Sequence, residues 1–182
     1  MFLFIPPSFD ILFLMEKLEI LFPDDAEIIR HCTLAEKLFG TDTDPDQAQP
    51  TLNNVKRLIA VDPYTYIYTE NKLETMGWSV VLPTTKENMD SFFAEKITEK
   101  ELFDIGTTKP YSFEVLYLTA AVTLPEFQNK GIASYLMKSQ IHYFTKKYGT
   151  KDFFAYILTD EGLGLLKKIE RELEITIHYI RN

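Results

Sequence analysis

One stretch of this sequence, residues 113–124, constrains the fold most, because it is apolar on both of its alternating faces. Taking every second residue assigns Val115, Tyr117 and Ala121 to one face and Leu116, Leu118, Ala120 and Val122 to the other. Successive side chains of a β-strand point to opposite faces, so a strand of this composition must be covered on both sides. The sequence therefore predicts a strand near the centre of a sheet flanked by helices.

The segments around this strand alternate between helical and extended patterns. Helical spacing of apolar residues runs through 10–39, with a break near Pro23 where Asp24 or Asp25 would cap a second helix, and through 52–61, 131–148 and 161–172. β-branched and aromatic runs predict strands at 64–69, 77–82, 153–159 and 174–180, the first two as an antiparallel hairpin. With 46% hydrophobic and 25% charged residues, we expect residues 1–182 to form one mixed α/β (α+β) domain.

A long insertion, residues 83–112, separates the hairpin from the central strand. Its apolar residues recur at helical spacing between charged ones over 86–105. Long additions between elements are often functional lids or packing extensions. Two interpretations stay open. The insertion is a cap whose aromatic residues line an apolar acceptor pocket, or its aromatic residues only attach it to the sheet. The aromatic residues concerned are Trp78, Phe92, Phe93 and Phe103.

Composition excludes several functional classes. With 27 acidic and 19 basic side chains the net charge is -8, which opposes attraction to nucleic acid or an anionic bilayer. Cys32 is the single cysteine and is predicted to be a core residue, while His31, His142 and His178 lack the paired spacing of a zinc site. The apolar start, residues 1–7, lacks the features of a signal peptide. We therefore expect a cytoplasmic protein without metal, nucleic acid or membrane partners.

The turn after the central strand opens a helix on small residues. Main-chain N–H groups from Asn129 to Ser134 would point outward at the positive end of that helix, which makes a ready anion site. Gly131 and Ala133 lack the bulk that would hold a diphosphate away, and Lys130 adds a positive charge on the rim. The alternative is an ordinary tight turn in which glycine and alanine only permit close packing.

The same residues resemble the acyl-CoA-binding motif of the GNAT family of N-acetyltransferases. The family pattern is Gln or Arg, two residues, Gly, one residue, then Gly or Ala, and residues 128–133 match it at every specified position. Pro125-Glu126-Phe127, the upstream strand and the downstream helix also match its setting. The resemblance implies a GNAT-like mixed, mostly antiparallel central sheet and direct transfer of an acetyl group from acetyl-CoA to an amine of a small molecule or protein.

The resemblance also assigns roles to individual residues. The central strand would splay from the strand at 153–159 to admit the thioester, with Thr159 or Asp160 near the mouth. A backbone N–H near Val122 or Thr123 would stabilise the oxyanion. Glu114 is the candidate general base, and an exposed strand-end carboxylate is the alternative. The implied coenzyme-binding residues are Ala121, Val122, Thr123, Gln128, Asn129, Lys130, Gly131, Ile132, Ala133 and Ser134.

The sequence departs from the family pattern in two places. Residues 162–168 contain no tyrosine, whereas many members carry one in this helix as the acid for the departing thiolate. The acid is thus unassigned, since Tyr135 and Tyr143 are predicted to be packing residues. Only one strand follows this helix where the family commonly has two, so the sheet edge is unpaired or completed by a partner in a homodimer. A non-catalytic acyl-CoA-binding sensor or interaction module is therefore the alternative to an enzyme.

Overall fold

A computed structural model describes residues 18–39, 45–72 and 74–181. The helices are α1 (Asp25–Phe39), α2 (Leu52–Val61), α3 (Lys86–Phe93), α4 (Glu99–Gly106), α5 (Ile132–Tyr148) and α6 (Asp160–Leu173). The strands are β1 (Tyr66–Asn71), β2 (Glu74–Thr84), β3 (Val115–Thr123), β4 (Asp152–Ile157) and β5 (Ile177–Arg181). No helix within these ranges is both long and apolar enough to cross a bilayer.

The five strands form one mixed sheet in the order β1-β2-β3-β4-β5. β2 pairs antiparallel with β1 and with β3, whereas β4 pairs parallel with β3 and with β5. The mixed α/β class, the hairpin and the central place of β3 are thereby confirmed. Two pairs of strands are antiparallel and two are parallel, but the antiparallel pairs are longer. The expected mostly antiparallel sheet is therefore found in the length of the pairing and not in the number of strand pairs.

Helices cover both faces of the sheet, as the composition of β3 requires. On one face, α5 and α6 pack over Leu116 and Leu118. On the other face, α2, α3 and α4 pack over Val115 and Tyr117, and α1 lies over Trp78 nearby. β3 is therefore enclosed by two apolar layers, which together form most of the core.

The N-terminal segment differs in part from its prediction. Residues 10–17 of the first predicted helix lie outside the described residues, and residues 18–24 are not helical. Leu21 instead pairs with Tyr68 as a single antiparallel bridge along the outer edge of β1. The helix after the break begins as expected, since the Asp24 carboxylate accepts the Glu27 N–H at 2.9 Å and so caps α1.

Two helices replace the continuous helical pattern that was expected in the insertion. Thr85 caps α3, and Thr98 caps α4 through a capping box with Glu101. Phe92 and Phe93 of α3 pack at centroid distances of 6.1 and 5.6 Å from the Phe154 ring of β4. The first half of the insertion is thus held on the sheet by aromatic packing.

Buried polar groups fix α5 in place against the sheet. Gln140, which is fully buried, donates from Nε2 to the Tyr64 carbonyl at 2.8 Å and the Ser79 carbonyl at 3.2 Å. Buried Asp62 accepts hydrogen bonds from the Tyr143 hydroxyl at 3.0 Å and from the Tyr148 hydroxyl at 2.6 Å. These contacts prevent the helix from sliding and therefore determine where its N-terminus lies.

Candidate functional site

The strands β3 and β4 separate part-way along their length. They pair at Val115, Leu116 and Tyr117 only, opposite Asp152 to Phe154. Beyond that point β4 stays paired with β5, and β3 stays paired with β2. The facing edges of two diverging strands cannot complete each other's hydrogen-bond ladder. The result is a gap in the sheet where the resemblance implies one.

Main-chain groups of β3 face this gap at alternate residues. The Leu124 N–H donates to the Met76 carbonyl at 3.0 Å, which makes Trp78 and Val122 a hydrogen-bonded pair two residues farther along. The N–H and C=O groups of Ala121 and Thr123 are therefore directed away from β2 and toward the gap. Those of Val122 are directed at β2, contrary to the expected contact with a coenzyme.

A β-bulge lies where the strands part. Val80 pairs with Ala120 and Val81 with Leu118, so Thr119 is the additional residue on β3. The Thr119 hydroxyl is buried and has no hydrogen-bond partner among the described residues. The bulge also changes which face each later side chain occupies. The expected common face for Tyr117 and Ala121 is thus wrong, because Tyr117 packs beside α4 and Ala121 packs toward α5 and α6.

A cavity of about 550 Å³ lies at this gap. It is lined from one face of the sheet by residues of α1, α2, α4, β1 and β2, from the gap by residues of β3 and β4, and from the other face by residues of α5 and α6. Its lining includes His31, Tyr66, Trp78, Glu99, Phe103, Tyr117, Thr119, Ala121, Thr159 and Leu166. The cavity therefore reaches both faces of the sheet. Thr159 lies at its border as expected, whereas Asp160 is not among its lining residues.

The N-terminus of α5 lies beside the end of β3. A Cβ added to Gly77 would meet both the Thr123 Cα and the Ile132 side chain at 3.3 Å, which shows how close the helix start is to the strand. Gly131 precedes the helix with a left-handed φ of 80° and makes no side-chain cap. Glycine adopts this conformation without steric cost. The first-turn N–H groups of α5 are thus left without a side-chain acceptor.

Several groups at this turn are suited to hydrogen-bonding with an anion. The uncapped N–H groups carry the positive end of the helix dipole. Ser134, in the same turn, has a buried hydroxyl without a partner among the described residues. The turn is tied to β3 by Gln128, whose Nε2 donates to the Thr123 carbonyl at 3.4 Å. Lys130 stays at the rim, with its Nζ donating to the Glu126 carbonyl at 3.1 Å.

Comparison with solved structures shows similarity at the level of the fold. No protein-family model matches the sequence, and no curated protein matches it. Among solved structures, the chain is similar to the aminoglycoside acetyltransferase meta-AAC0020 from an uncultured soil metagenomic sample, with a TM-score of 0.53 and 15% identity over 85% of this chain and 86% of that one. It is also similar to aminoglycoside N-acetyltransferase AAC(6')-Iy in complex with CoA, with a TM-score of 0.51 and 15% identity over 87% and 88% of the chains.

The chain has a GNAT-like fold. A further similar structure is the loading GNATL domain of CurA from Lyngbya majuscula, at 15% identity and a TM-score of 0.47. That match covers 74% of this chain and 61% of the CurA domain. In this chain, the motif residues 128–133 span the turn between β3 and α5 and the first residues of α5, beside the gap in the sheet.

Glu114 lies far from the gap of the GNAT fold. It is exposed immediately before β3 and accepts the Lys86 N–H at 3.2 Å. It lines a separate surface depression together with Tyr111 and Asp152. Since a strand rises about 3.3 Å per residue, Glu114 is about 20 Å along the strand from Ala121. The structure therefore does not bring the expected general base to the thioester position.

His31 lines the cavity, although the sequence showed only that it lacks the paired spacing of a zinc site. Its ring is fully buried and stacks on Trp78 at a centroid distance of 4.9 Å. Nε2 is 3.0 Å from the Thr75 hydroxyl, and Nδ1 is 3.3 Å from the Tyr66 hydroxyl. Burial, followed by the nearby charge of Arg30, lowers the pKa of His31 to about 4. The imidazole is therefore neutral at pH 7.

Glu99 is a cavity residue that sequence reasoning missed. It is the first residue of α4, and its Oε1 accepts a hydrogen bond from the Tyr117 hydroxyl at 2.7 Å. Burial, together with the Glu99 charge, raises the pKa of Tyr117 well above its usual range, so this tyrosine remains the donor. Trp78 and Phe103 also line the cavity. The only signal in the sequence was an acidic residue immediately after a capping threonine.

Proposed function

We propose that this protein is an acyl-CoA-dependent N-acyltransferase that moves an acetyl group from acetyl-CoA to an amine by direct transfer. The observation that carries this proposal is a cavity reaching both faces of the sheet through a gap that opens beside an uncapped helix N-terminus. Two reactants that enter from opposite faces would meet at this gap, which supplies the proximity that direct transfer requires.

The coenzyme fits the face on which α5 begins. The main-chain groups of Ala121 and Thr123 would hydrogen-bond to the amides of the pantetheine arm, as an additional strand would. The N–H groups from Asn129 to Ser134 would bind the diphosphate, with Lys130 at the rim. When bound, acetyl-CoA supplies a thioester whose carbonyl carbon is open to attack by an amine.

The chain's own groups account for most of the chemistry. The main-chain N–H of Ala121 at the gap would donate a hydrogen bond to the thioester carbonyl oxygen as negative charge develops on that oxygen. The neutral amine nitrogen forms a bond to the carbonyl carbon and gives up one proton. The C–S bond breaks, and the sulfur leaves as a thiolate that takes up a proton. Helix α6 contains no tyrosine, so that proton must come from another group or from water.

The acceptor chamber lies on the opposite face, below α1, α2 and α4. Its enclosure by helices favours a small amine over a lysine within a folded protein. The outer edge of β5 is unpaired within the described part of the chain, which supports a homodimer formed along that edge. The single cysteine supports a reducing, cytoplasmic location.

Acetyl transfer is tested by thiol release from acetyl-CoA in the presence of a panel of small amines. We expect thiol release matched by acetylated amine for at least one acceptor. The alternative is a non-catalytic acyl-CoA sensor, which the missing tyrosine of α6 favours. Thermal protection by acetyl-CoA without modification of any amine between about pH 6 and 9 would support the sensor and contradict the enzyme.

A further inference from the structure

A network of buried polar groups connects Arg30 of α1 to the acceptor chamber. The Arg30 guanidinium donates to the Thr75 hydroxyl, which lies 3.0 Å from Nε2 of His31. Nδ1 of the same ring lies 3.3 Å from the Tyr66 hydroxyl. Thr75, His31 and Tyr66 are each at most 3% exposed. His31 and Tyr66 line the cavity, whereas Thr75 does not. The network therefore ends at the cavity with the Tyr66 hydroxyl.

The direction of each hydrogen bond follows from the donors that are present. A guanidinium can only donate, so the Thr75 oxygen accepts from Arg30 and the Thr75 hydrogen needs another acceptor. Within the described ranges, Nε2 of His31 is the acceptor that this hydrogen reaches. His31 is neutral at pH 7, because burial lowers its pKa to about 4. A neutral ring that accepts at Nε2 carries its proton at Nδ1 and donates it to the Tyr66 oxygen.

Glu27 is the other group near Nε2 and does not change this assignment. Its Oε2 lies 3.6 Å from Nε2, which is beyond hydrogen-bonding distance, and it forms an ion pair with Arg30. The Tyr66 oxygen therefore accepts from His31, and the Tyr66 hydrogen points elsewhere.

The cavity is the place where this hydrogen can find an acceptor. The Tyr66 hydroxyl lies beside residues of α1, and two of them, His31 and Cys32, line the cavity together with Tyr66. Burial, followed by the nearby Cys32 thiol, raises the pKa of Tyr66 well above its usual range, so the hydroxyl keeps its proton. A buried O–H without an acceptor is unfavourable. A ligand oxygen in the chamber would satisfy it.

Tyr66 lies across the sheet from the reaction centre. It pairs with Val80 of β2, and Val80 pairs with Ala120 of β3. Neighbouring strands lie about 4.8 Å apart, so this row places Tyr66 about 10 Å from Ala120 across the sheet. All three residues line the same cavity, and Ala120 directly precedes Ala121 at the gap. A molecule that reaches from the gap to the Tyr66 hydroxyl must span at least this distance.

We propose that the Tyr66 hydroxyl binds the acceptor by donating a hydrogen bond to a neutral oxygen of that molecule, and that His31 orients this hydroxyl. This inference rests on the proposed acetyl transfer and names its substrate class. The acceptor is an amine that carries a hydroxyl, ether or carbonyl oxygen about 10 Å from the reacting nitrogen. The oxygen is neutral, because none of the described residues that line the cavity is a lysine or arginine to pair with an anion.

Binding without turnover tests the role of Tyr66. The probes are 8-aminooctan-1-ol, whose extended chain spans about the required distance, and nonan-1-amine, which has a methyl group in place of the hydroxyl. Both are titrated by calorimetry in the presence of CoA, which has no acetyl group to transfer. The proteins are the wild type, Tyr66→Phe, and Tyr68→Phe, which removes a hydroxyl from the same buried strand outside the cavity lining.

We expect Tyr66→Phe to weaken binding of the amino alcohol by roughly 3- to 10-fold and to leave binding of the alkylamine unchanged. Tyr68→Phe should change neither affinity. The shorter 3-aminopropan-1-ol cannot reach from the gap to Tyr66, so its affinity should be the same in all three proteins. An equal loss for the amino alcohol and the alkylamine, or no binding of the amino alcohol to the wild-type protein, would overturn the role of Tyr66.

The role of His31 is tested by its tautomer in the wild-type protein, which does not depend on the stability of any variant. Nitrogen-15 NMR of the imidazole at pH 7 distinguishes a proton on Nδ1 from one on Nε2. We expect the proton on Nδ1. A proton on Nε2 would make Tyr66 the donor to His31 and would overturn the proposal.

The outcomes with acetyl-CoA separate this inference from the proposed function. If 8-aminooctan-1-ol binds through Tyr66 and is never acetylated, the transfer proposal fails and the recognition of the oxygen stands. If Tyr66→Phe acetylates this amine with unchanged kcat and KM, transfer stands and Tyr66 has no part in recognising the acceptor.

Discussion

Mild acid should destabilise the fold through His31. The ring is fully buried against Trp78, and burial is the main reason why its pKa falls from 6.5 to about 4. The unfolded chain therefore binds a proton as the pH falls through about 6.5, whereas the folded chain resists protonation until about pH 4. The stability that neutral His31 provides is complete above the unfolded pKa and is lost as the pH falls toward the folded one.

The size of this effect follows from the difference between the two pKa values. At about 1.4 kcal/mol per pH unit, the full loss is about 3 kcal/mol, of which about 2 kcal/mol falls between pH 7 and pH 5. Glu27 lies 3.6 Å from Nε2, and its carboxylate also pairs with Arg30 at 2.5 Å. The remaining carboxylates titrate in the same range, so the effect must be measured against a matched variant.

His31→Gln supplies that comparison, because glutamine can still form hydrogen bonds and remains neutral at every pH. Urea unfolding of both proteins at pH 7 and pH 5 gives the four free energies required. The wild-type protein should lose about 2 kcal/mol more than the variant on acidification. An equal loss in both proteins would refute the account of a buried, neutral His31.

Three further predictions concern the diphosphate site, the packing of β2 and the role of Glu114. Gly131→Glu and the control Gly149→Glu each put a side chain at a left-handed glycine, with φ of 80° and 75°, so each should cost a similar free energy of unfolding of about 1–2 kcal/mol. Only Gly131→Glu should abolish thermal protection by acetyl-CoA. Equal protection of the two variants would count against the diphosphate site. A Cβ at Gly77 would lie 2.3 Å from the Val122 carbonyl oxygen, so Gly77→Ala should lower the free energy of unfolding by about 1–3 kcal/mol, and an unchanged urea midpoint would contradict this. Glu114→Gln should leave turnover unchanged, and a fall in kcat at constant acetyl-CoA affinity would restore Glu114 as the base.

Much of the fold could be predicted because local patterns dominate it. The apolar faces of β3, the hairpin and the helices α2, α5 and α6 all follow from periodicity, since each element buries one or both faces. The turn at Gly131 was also predictable, because a left-handed position before a helix favours glycine. These features depend mainly on residues that are neighbours in sequence.

The misses arise where structure depends on distant pairing. The Thr119 bulge inserts one residue opposite β2, and an alternating pattern within one strand cannot show it. The same pairing directs Val122 toward β2 and away from the gap. The positions of Glu114 and Glu99 could not be predicted for a similar reason: only the packed insertion shows that α4 reaches the cavity and that the residue before β3 does not.

The central claim is that the N–H groups at the start of α5 and the free edge of β3 bind an acyl-CoA. Calorimetric titration of acetyl-CoA into the wild-type protein tests this claim most directly. We predict saturable heat with one site per chain, and a similar result with CoA itself, because the proposed contacts involve the diphosphate and the pantetheine arm. The absence of both heat and thermal protection with CoA, acetyl-CoA and longer thioesters would contradict the account.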